Sequence, residues 1–536
     1  MRWLCLLALL WGQTRPKLII GIVVDQMRAD YLHRMVAKRS RGFGLLLQEG
    51  LVYWNCHYTY SPTYTGPGHA SIYTGTPPAY HGIVANDWWE RRLSQVWYCV
   101  TDTTVRPVGT DSPVGQRSPR VLWASTVTDE LRYASGFQSK VIGIALKDRS
   151  AILPAGRSGT LALWFDSKKG VWVTSSYYTD TLPGWVQAFN ARHYPDSLLR
   201  VPWQLSGRYA CVDDSPYEGT MGQPPTRTFP HQPASYEELL WTTAGPWLTF
   251  ALAKAAIESE KLGKGPYPDF LAISLSTPDL AGHRFGTESC ELQALYAELD
   301  RQLGDFLAYL LRRFRKEELW LFLTADHGAA PTPEVLAEQK RSAGRYPEKA
   351  LVAEAQAFLR QLLGWPDTAQ PIAAFLNQSF YLSERLSRAE KSRAAHALKG
   401  WLLERPLILA AYTAEELTGP GGSAYPFQMI QAGFAAQRSG DVVAVYAPGW
   451  IEGSYTHGTT HGSIWSYDTH VPLIWWGGGL RPKAVYRRVP ITAIAPTIAL
   501  GLGIPLPNAC FTPPLEEVIE GWRTPSFEWW EGPSGP

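Results

Sequence analysis

The chain has 536 residues, 45% of them hydrophobic and 18% charged, which is enough for a large core and excludes a disordered or fibrous protein. With 50 basic against 48 acidic side chains it has no broad basic field, so nucleic acid is excluded as a specific partner and any selectivity for anions has to be local.

The first residues, MRWLCLLALLWGQTRPKL, join a positive start to a short apolar run, the pattern of a secretory signal. The expectation is a cleaved segment 1–13 and a periplasmic or secreted, monomeric mature protein. No later run reaches the roughly 18 apolar residues of a membrane span. Cys5 leaves with the signal, and Cys56, Cys99, Cys211, Cys290 and Cys510 show no CxxC spacing. An oxidising compartment permits disulfides but leaves their pairing open, and five thiols leave at least one unpaired.

KLIIGIVVD (17–25) is a β-branched apolar run that stops at Asp25, which is how a buried parallel strand delivers a ligand to its carboxyl edge. KVIGIALKDR (140–149), FLAISLSTPD (270–279) and LWLFLTADHG (319–328) repeat the pattern, and 290–314 has helical spacing between the last two. VPLIWWGGG (471–479) reads as another core strand and 491–504 as a helix beside it. This alternation predicts an α/β fold: a three-layer α/β/α body over 17–512 with a mostly parallel central sheet, whose ligands bind outside the carboxyl ends of the strands. Regions 88–135 and 155–245 read as loop-rich insertions, 335–455 as a cap lobe with amphipathic helices and the strand DVVAVYAPG (441–449), and 513–536 as a C-terminal tail.

Asp279 and His283 are four apart, so one helical turn aims both at a single ion, although alone this pair reads as a helix cap and a surface histidine. Asp326 and His327 are adjacent at a strand end, where Gly328 permits a sharp turn. With Asp25, and with His461 in GTTHGS, they offer enough ligands for two zinc ions. In SPTYTGPGHASIYTG, Thr65 stands at a helix N-terminus just before Pro67. A metal would ionise a hydroxyl there for attack on phosphorus, and Thr63 is a competitor for that role. Lys147 and Arg149, two apart on a strand, share a face, with Asp148 pointing away. His69 and His81 read as groups that order the local backbone.

The order VVDQMRADY, PTYTGPGHASIYTG, HGIVANDWW, ALKDRSAILPAG, STPDLAGHRFG, TADHG and THGSIWSYDTHVPL resembles the PafA-type alkaline phosphatases of the alkaline phosphatase superfamily, relatives of the type I phosphodiesterases and nucleotide pyrophosphatases. The resemblance spans about residues 17–475 and implies zinc-dependent hydrolysis of small-molecule phosphate monoesters through a phosphothreonine at Thr65. It implies one zinc on Asp279, His283 and His461, preferring His461 over His457 and His470. The second would lie on Asp25, Asp326 and His327 beside the Thr65 oxygen. Asn86, helped by the Gly66 backbone N–H, would bind a nonbridging phosphoryl oxygen, with Lys147 and Arg149 reaching the phosphate from the side opposite the metals. A monoester has a third charged oxygen that a diester lacks, so two cations there favour monoesters. The alternatives are a phosphodiesterase or nucleotide pyrophosphatase on the same scaffold and, from another class, a non-catalytic exported binding protein. A sulfatase is disfavoured because Thr65 cannot be matured to formylglycine.

Overall fold

The computed structural model describes residues 15–35, 41–205, 211–422 and 424–523. The signal expectation over 1–13 and the end of the tail, 524–536, lie outside the described residues.

The apolar runs form strands with every residue buried: Leu18–Val24, Val141–Ala145, Asp269–Leu275 and Leu319–Thr324. Apolar side chains on both faces need cover on both sides, which helices supply. Across the central sheet the order is Lys483–Val485, Leu51–His57, His470–Gly477, Leu319–Thr324, Leu18–Val24, Asp269–Leu275, Val141–Ala145, Leu161–Asp166, Val171–Ser175 and Pro107–Val108. The run from Leu319–Thr324 to Leu161–Asp166 is parallel.

Register gathers the site. Val23 pairs with Thr324, Val24 with Leu275 and Ala145 with Ser274, so the segments carrying Asp25, Asp326, Asp279 and Lys147 leave one edge of the sheet side by side. His470–Gly477 is antiparallel to Leu319–Thr324, so it starts at that edge, and the loop with His461 arrives there. Leu51–His57 runs antiparallel to His470–Gly477 in turn, so its end feeds the Thr65 segment to the same place. The helix Thr65–Thr74 then packs on the sheet through Tyr73, whose ring lies 5.9 Å from Phe270 and 6.1 Å from Phe322. Gly21 makes this packing possible: a Cβ there would meet the Phe322 ring and the Tyr73 hydroxyl at 2.5 Å.

Several segments differ from their sequence reading. Within 155–245, Leu161–Asp166 and Val171–Ser175 form a hairpin that extends the central sheet. Their short runs are masked by the Tyr, Thr and Pro that follow. Region 88–135 holds a hairpin, Asp87–Glu90 with Gln95–Tyr98, and the helix Val127–Ala134, started by a reciprocal Thr126–Asp129 cap. Within 335–455, an antiparallel sheet of Ile372–Leu376, Ser379–Leu382, Val442–Tyr446 and Ile408–Thr413 closes its own core with the helices Glu348–Leu363 and Arg388–Leu403. The first part of the expected tail is a helix, Glu516–Arg523, that sends Val518, Ile519 and Trp522 into the main core, where Trp522 stacks on Trp320 at 3.6 Å. Cys211 and Cys290 form a disulfide, and Cys56, Cys99 and Cys510 remain thiols.

Candidate active site

Two groups of ligand-type side chains meet at the carboxyl edge: Asp279, His283 and His461, and Asp25, Asp326 and His327. Within each group one ligand atom per residue lies within 4.8 Å of the others. Asp279 is in the first turn of the helix Thr277–Phe285, one turn before His283, whose Nε2 is 3.1 Å from Asp279 Oδ1. His461 Nε2 approaches the same oxygen at 3.4 Å. Asp326 and His327 follow the strand Leu319–Thr324, and the chain turns there at Gly328, where a Cβ would sit 2.1 Å from the Tyr467 carbonyl oxygen. No other residue fits that approach.

All three histidines are anchored through Nδ1 to a backbone carbonyl: His283 to Thr459 O at 2.9 Å, His461 to Thr63 O at 2.7 Å and His327 to Gly328 O at 2.9 Å. A carbonyl accepts only, so each Nδ1 carries a proton and Nε2 is left as the ring nitrogen that faces the site; on His283, despite burial, the Asp279 carboxylate raises the imidazole and holds a proton on Nε2 that a bound ion would replace. The fit to a cation shows also in the carboxylates, since Asp25 Oδ1 and Asp326 Oδ2 are buried without a hydrogen-bond partner. Such oxygens are costly to bury unless a cation or proton satisfies them.

The electrostatics express the same crowding. Burial, only partly offset by the Lys147 ammonium, pushes Asp25 up to about 6. Burial and the Asp25 charge push Asp326 well above the usual carboxylate range. Asp279 goes the other way: despite burial, the charges of His283 and Lys147 hold it well below that range. Burial lowers His327 and His461, keeping these imidazoles neutral and able to ligate.

Thr65 is the first residue of its helix and is fully buried. Its Oγ1 lies 3.3 Å from His327 Nε2 and accepts from Arg149 Nη2 at 3.3 Å. Thr63 is no competitor, because its hydroxyl donates to Ser463 O at 3.0 Å.

The phosphate-side residues have partners and a backbone setting that differ from the sequence reading. The Gly66 N–H is not free for substrate: it donates to Asn86 Oδ1 at 2.8 Å, which turns the Asn86 amide nitrogen away as the remaining donor. Lys147 and Arg149 do not share a strand face, because the strand stops at Ala145, Lys147 is the N-cap of the helix Asp148–Ala155, and Arg149 lies in its first turn. The Lys147 ammonium pairs with Asp25 at 2.6 Å and with Asp279, one carboxylate of each ligand group. Three carboxylates buried together attract the nearest mobile ammonium.

Asp148 is buried. It accepts from the Tyr98 hydroxyl and from Arg117 Nε at 2.9 Å, while Tyr98 Oη accepts from Arg149 Nη1 at 3.0 Å. Sequence reading missed this support because Tyr98 and Arg117 come from a distant hairpin and loop. It also missed Gln26, whose amide gave no charge or period to flag it although it stands inside VVDQM. His69 is tied to Thr65 O at 2.9 Å and Ser274 Oγ at 3.0 Å, and His81 to Ser71 Oγ at 2.9 Å, as backbone-ordering groups. His470 bonds Trp54 O at 2.8 Å and His457 bonds Arg284 at 3.0 Å, both outside the two groups.

A buried helix-terminal hydroxyl beside one of two carboxylate–imidazole groups, with an arginine on its oxygen, defines a metal-dependent phosphoryl hydrolase. The pattern of the type I phosphodiesterase / nucleotide pyrophosphatase family matches residues 19–470, and the chain belongs to that family, on the branch of the PafA alkaline phosphatases. It is 38% identical to alkaline phosphatase PafA of Elizabethkingia meningoseptica over 94% of this chain and 95% of that one. It is 40% identical to a Myroides odoratus protein named calcium-transporting ATPase, over 94% and 95% of the two chains. The crystal structure of wild-type PafA superposes with a TM-score of 0.89 at 37% identity, covering 94% of this chain and 99% of that one.

Proposed function

We propose that this chain is a two-zinc alkaline phosphatase that hydrolyses small-molecule phosphate monoesters through a phosphothreonine at Thr65. The observation that carries the reading is the position of Thr65 Oγ1, 3.3 Å from His327 Nε2 of one ligand group and 3.3 Å from the Arg149 guanidinium. Asp25, Asp326 and His327 would hold one ion, and Asp279, His283 and His461 the other. Bound there, zinc lowers the pKa of a hydroxyl or water and neutralises charge on the ester oxygens.

The chain's own residues supply the rest. Thr65 Oγ forms the new bond to phosphorus as the ester P–O bond breaks and the alcohol leaves, and water then cleaves the phosphothreonine to inorganic phosphate. The Asn86 amide nitrogen donates to one terminal oxygen, held in place by the Gly66 N–H on its Oδ1. Arg149 donates to the third charged oxygen of a monoester, and the Tyr98–Asp148–Arg117 network keeps it from retreating to solvent. A diester has an ester substituent at that oxygen, which sets the phosphodiesterase reading second. The Myroides relative's name adds ATP, another terminal phosphoryl donor, to the substrates to assay.

We read residues 1–13 as an export signal and the mature enzyme as a monomer. The Cys211–Cys290 disulfide supports an oxidising compartment. Among the described residues no helix is long and apolar enough to cross a membrane. The test is a titration: metal-free protein should release no phosphate from a nitrophenyl monoester and reach full rate at two zinc per chain. Full activity in chelator contradicts the reading.

A further inference from the structure

We infer that Gln26 is a positioning residue that holds the Asp279 carboxylate in its metal-ligating orientation, so that loss of its side-chain amide weakens metal retention at the Asp279, His283 and His461 centre alone. The inference rests on the two-metal reading above and concerns a residue that touches no substrate.

Three independent features single out Gln26. Its backbone stands at φ 64° in the left-handed region although it has a side chain, and it is 98% buried at 2% exposure. Such a conformation costs on the order of 1 kcal/mol or more and persists only where the surroundings enforce it, most often at functional sites. Second, its Nε2 donates to Asp279 Oδ1 at 2.7 Å, while its backbone N–H donates to Asp326 Oδ1 at 3.2 Å. One residue, covalently joined to the ligand Asp25, thus contacts a carboxylate of each group. Third, the facing helix leaves room for the amide: a Cβ at Gly282 would sit 1.9 Å from Gln26 Oε1.

The consequences for the two carboxylates differ. Asp326 is fixed through Oδ1 by a main-chain donor, leaving Oδ2 buried with no hydrogen-bond partner. Asp279 is fixed by the side chain, and the bonded oxygen is the one that also faces His283 at 3.1 Å and His461 at 3.4 Å. A carboxylate oxygen has two lone pairs, so a donor on one side orients the other toward the imidazoles. A neutral amide does this without adding charge to a site already crowded with carboxylates, whereas a glutamate would add one. The left-handed turn puts the amide and the main-chain N–H on the two groups at once.

The experiment compares wild type, Gln26→Met and Gln26→Gly as complete zinc-loaded chains. Methionine keeps the length and bulk but has no donor, and glycine accepts the left-handed backbone without strain. Zinc retained per chain is measured against rising concentrations of a competing chelator, together with the melting temperature of each metal-free protein. Both variants should lose one of two zinc ions at chelator concentrations about 10- to 100-fold lower than wild type, the usual cost of removing a group that orients a ligand. The second zinc should be retained as in wild type, the metal-free melting temperature of Gln26→Met should fall only modestly, by the cost of one lost hydrogen bond, and excess zinc should restore its turnover. Equal zinc retention in wild type and Gln26→Met overturns the inference, as does parallel weakening of both ions or a lowered metal-free melting temperature with normal retention. A wild type that retains no zinc overturns the two-metal reading itself, and the inference with it.

Discussion

Arg149→Ala should separate monoester from diester chemistry. The guanidinium is held by Tyr98 Oη at 3.0 Å and reaches Thr65 Oγ1 at 3.3 Å, so with Thr65 as the proposed nucleophile its Nη2 would meet an oxygen on the attacked phosphorus. A charge-assisted hydrogen bond is worth about 2–3 kcal/mol net, and each 1.36 kcal/mol is tenfold in rate. Loss of the third-oxygen contact should therefore lower kcat/KM for a nitrophenyl monoester on the order of 30- to 150-fold. The matching diester has no charged oxygen there, and its kcat/KM should fall by no more than about threefold. Arg149→Lys keeps the charge but loses the planar fork and the Tyr98 bond, so it should recover only part of the loss. The assay is steady-state hydrolysis of both substrates by zinc-loaded protein, with bound zinc measured in parallel. Equal losses for the two esters would refute the assignment of Arg149 to the third oxygen.

Thr65→Ala should abolish covalent phosphate capture from a labelled monoester in acid-quenched protein, whereas Thr65→Ser should retain it; label on Thr65→Ala would remove Thr65 as nucleophile. The Cys211–Cys290 disulfide closes a separation of 79 residues, for which chain entropy gives an upper value of about 4.5 kcal/mol. Reduction, or Cys211→Ser with Cys290→Ser, should accordingly lower the urea midpoint, and an unchanged midpoint would count against the pairing. Burial, reinforced by Glu291, Asp213 and Asp214, pushes Glu218 up to about 9 from the ordinary 4.5. Stability tied to its neutral form is therefore complete below pH 4.5, declines as pH rises and is gone above about 9. Glu218→Gln should gain melting temperature over wild type progressively from about pH 5 to 9, and a pH-independent difference would show that Glu218 ionises normally.

The fold was legible where strands are fully buried, since Leu18–Val24, Asp269–Leu275 and Leu319–Thr324 read as mostly apolar runs followed shortly by Asp25, Asp279 and Asp326. Asp25, Asp279, Asp326 and His327 fall together for the same reason, aligned strand ends, while His283 follows one helical turn after Asp279 and His461 arrives on the loop before His470–Gly477. Period-two reasoning failed at Lys147 and Arg149, because the strand stops at Ala145 and a helix begins before the second residue is reached. The edge hairpin Leu161–Ser175 was obscured by short strands beside a Tyr- and Pro-rich loop, and the helix Glu516–Arg523 by the Gly/Pro-rich end that follows it. The hydrogen bonds of Gly66, Gln26 and Tyr98 depend on tertiary approach between segments far apart in sequence, which no local pattern encodes.

The most direct measurement is a side-by-side determination of kcat/KM for a nitrophenyl phosphate monoester and its diester with zinc supplied. A strong monoester preference that disappears with chelator is the predicted result. A preference for the diester, or hydrolysis of either ester undiminished without metal, would contradict a two-metal monoesterase built on Thr65 and Arg149.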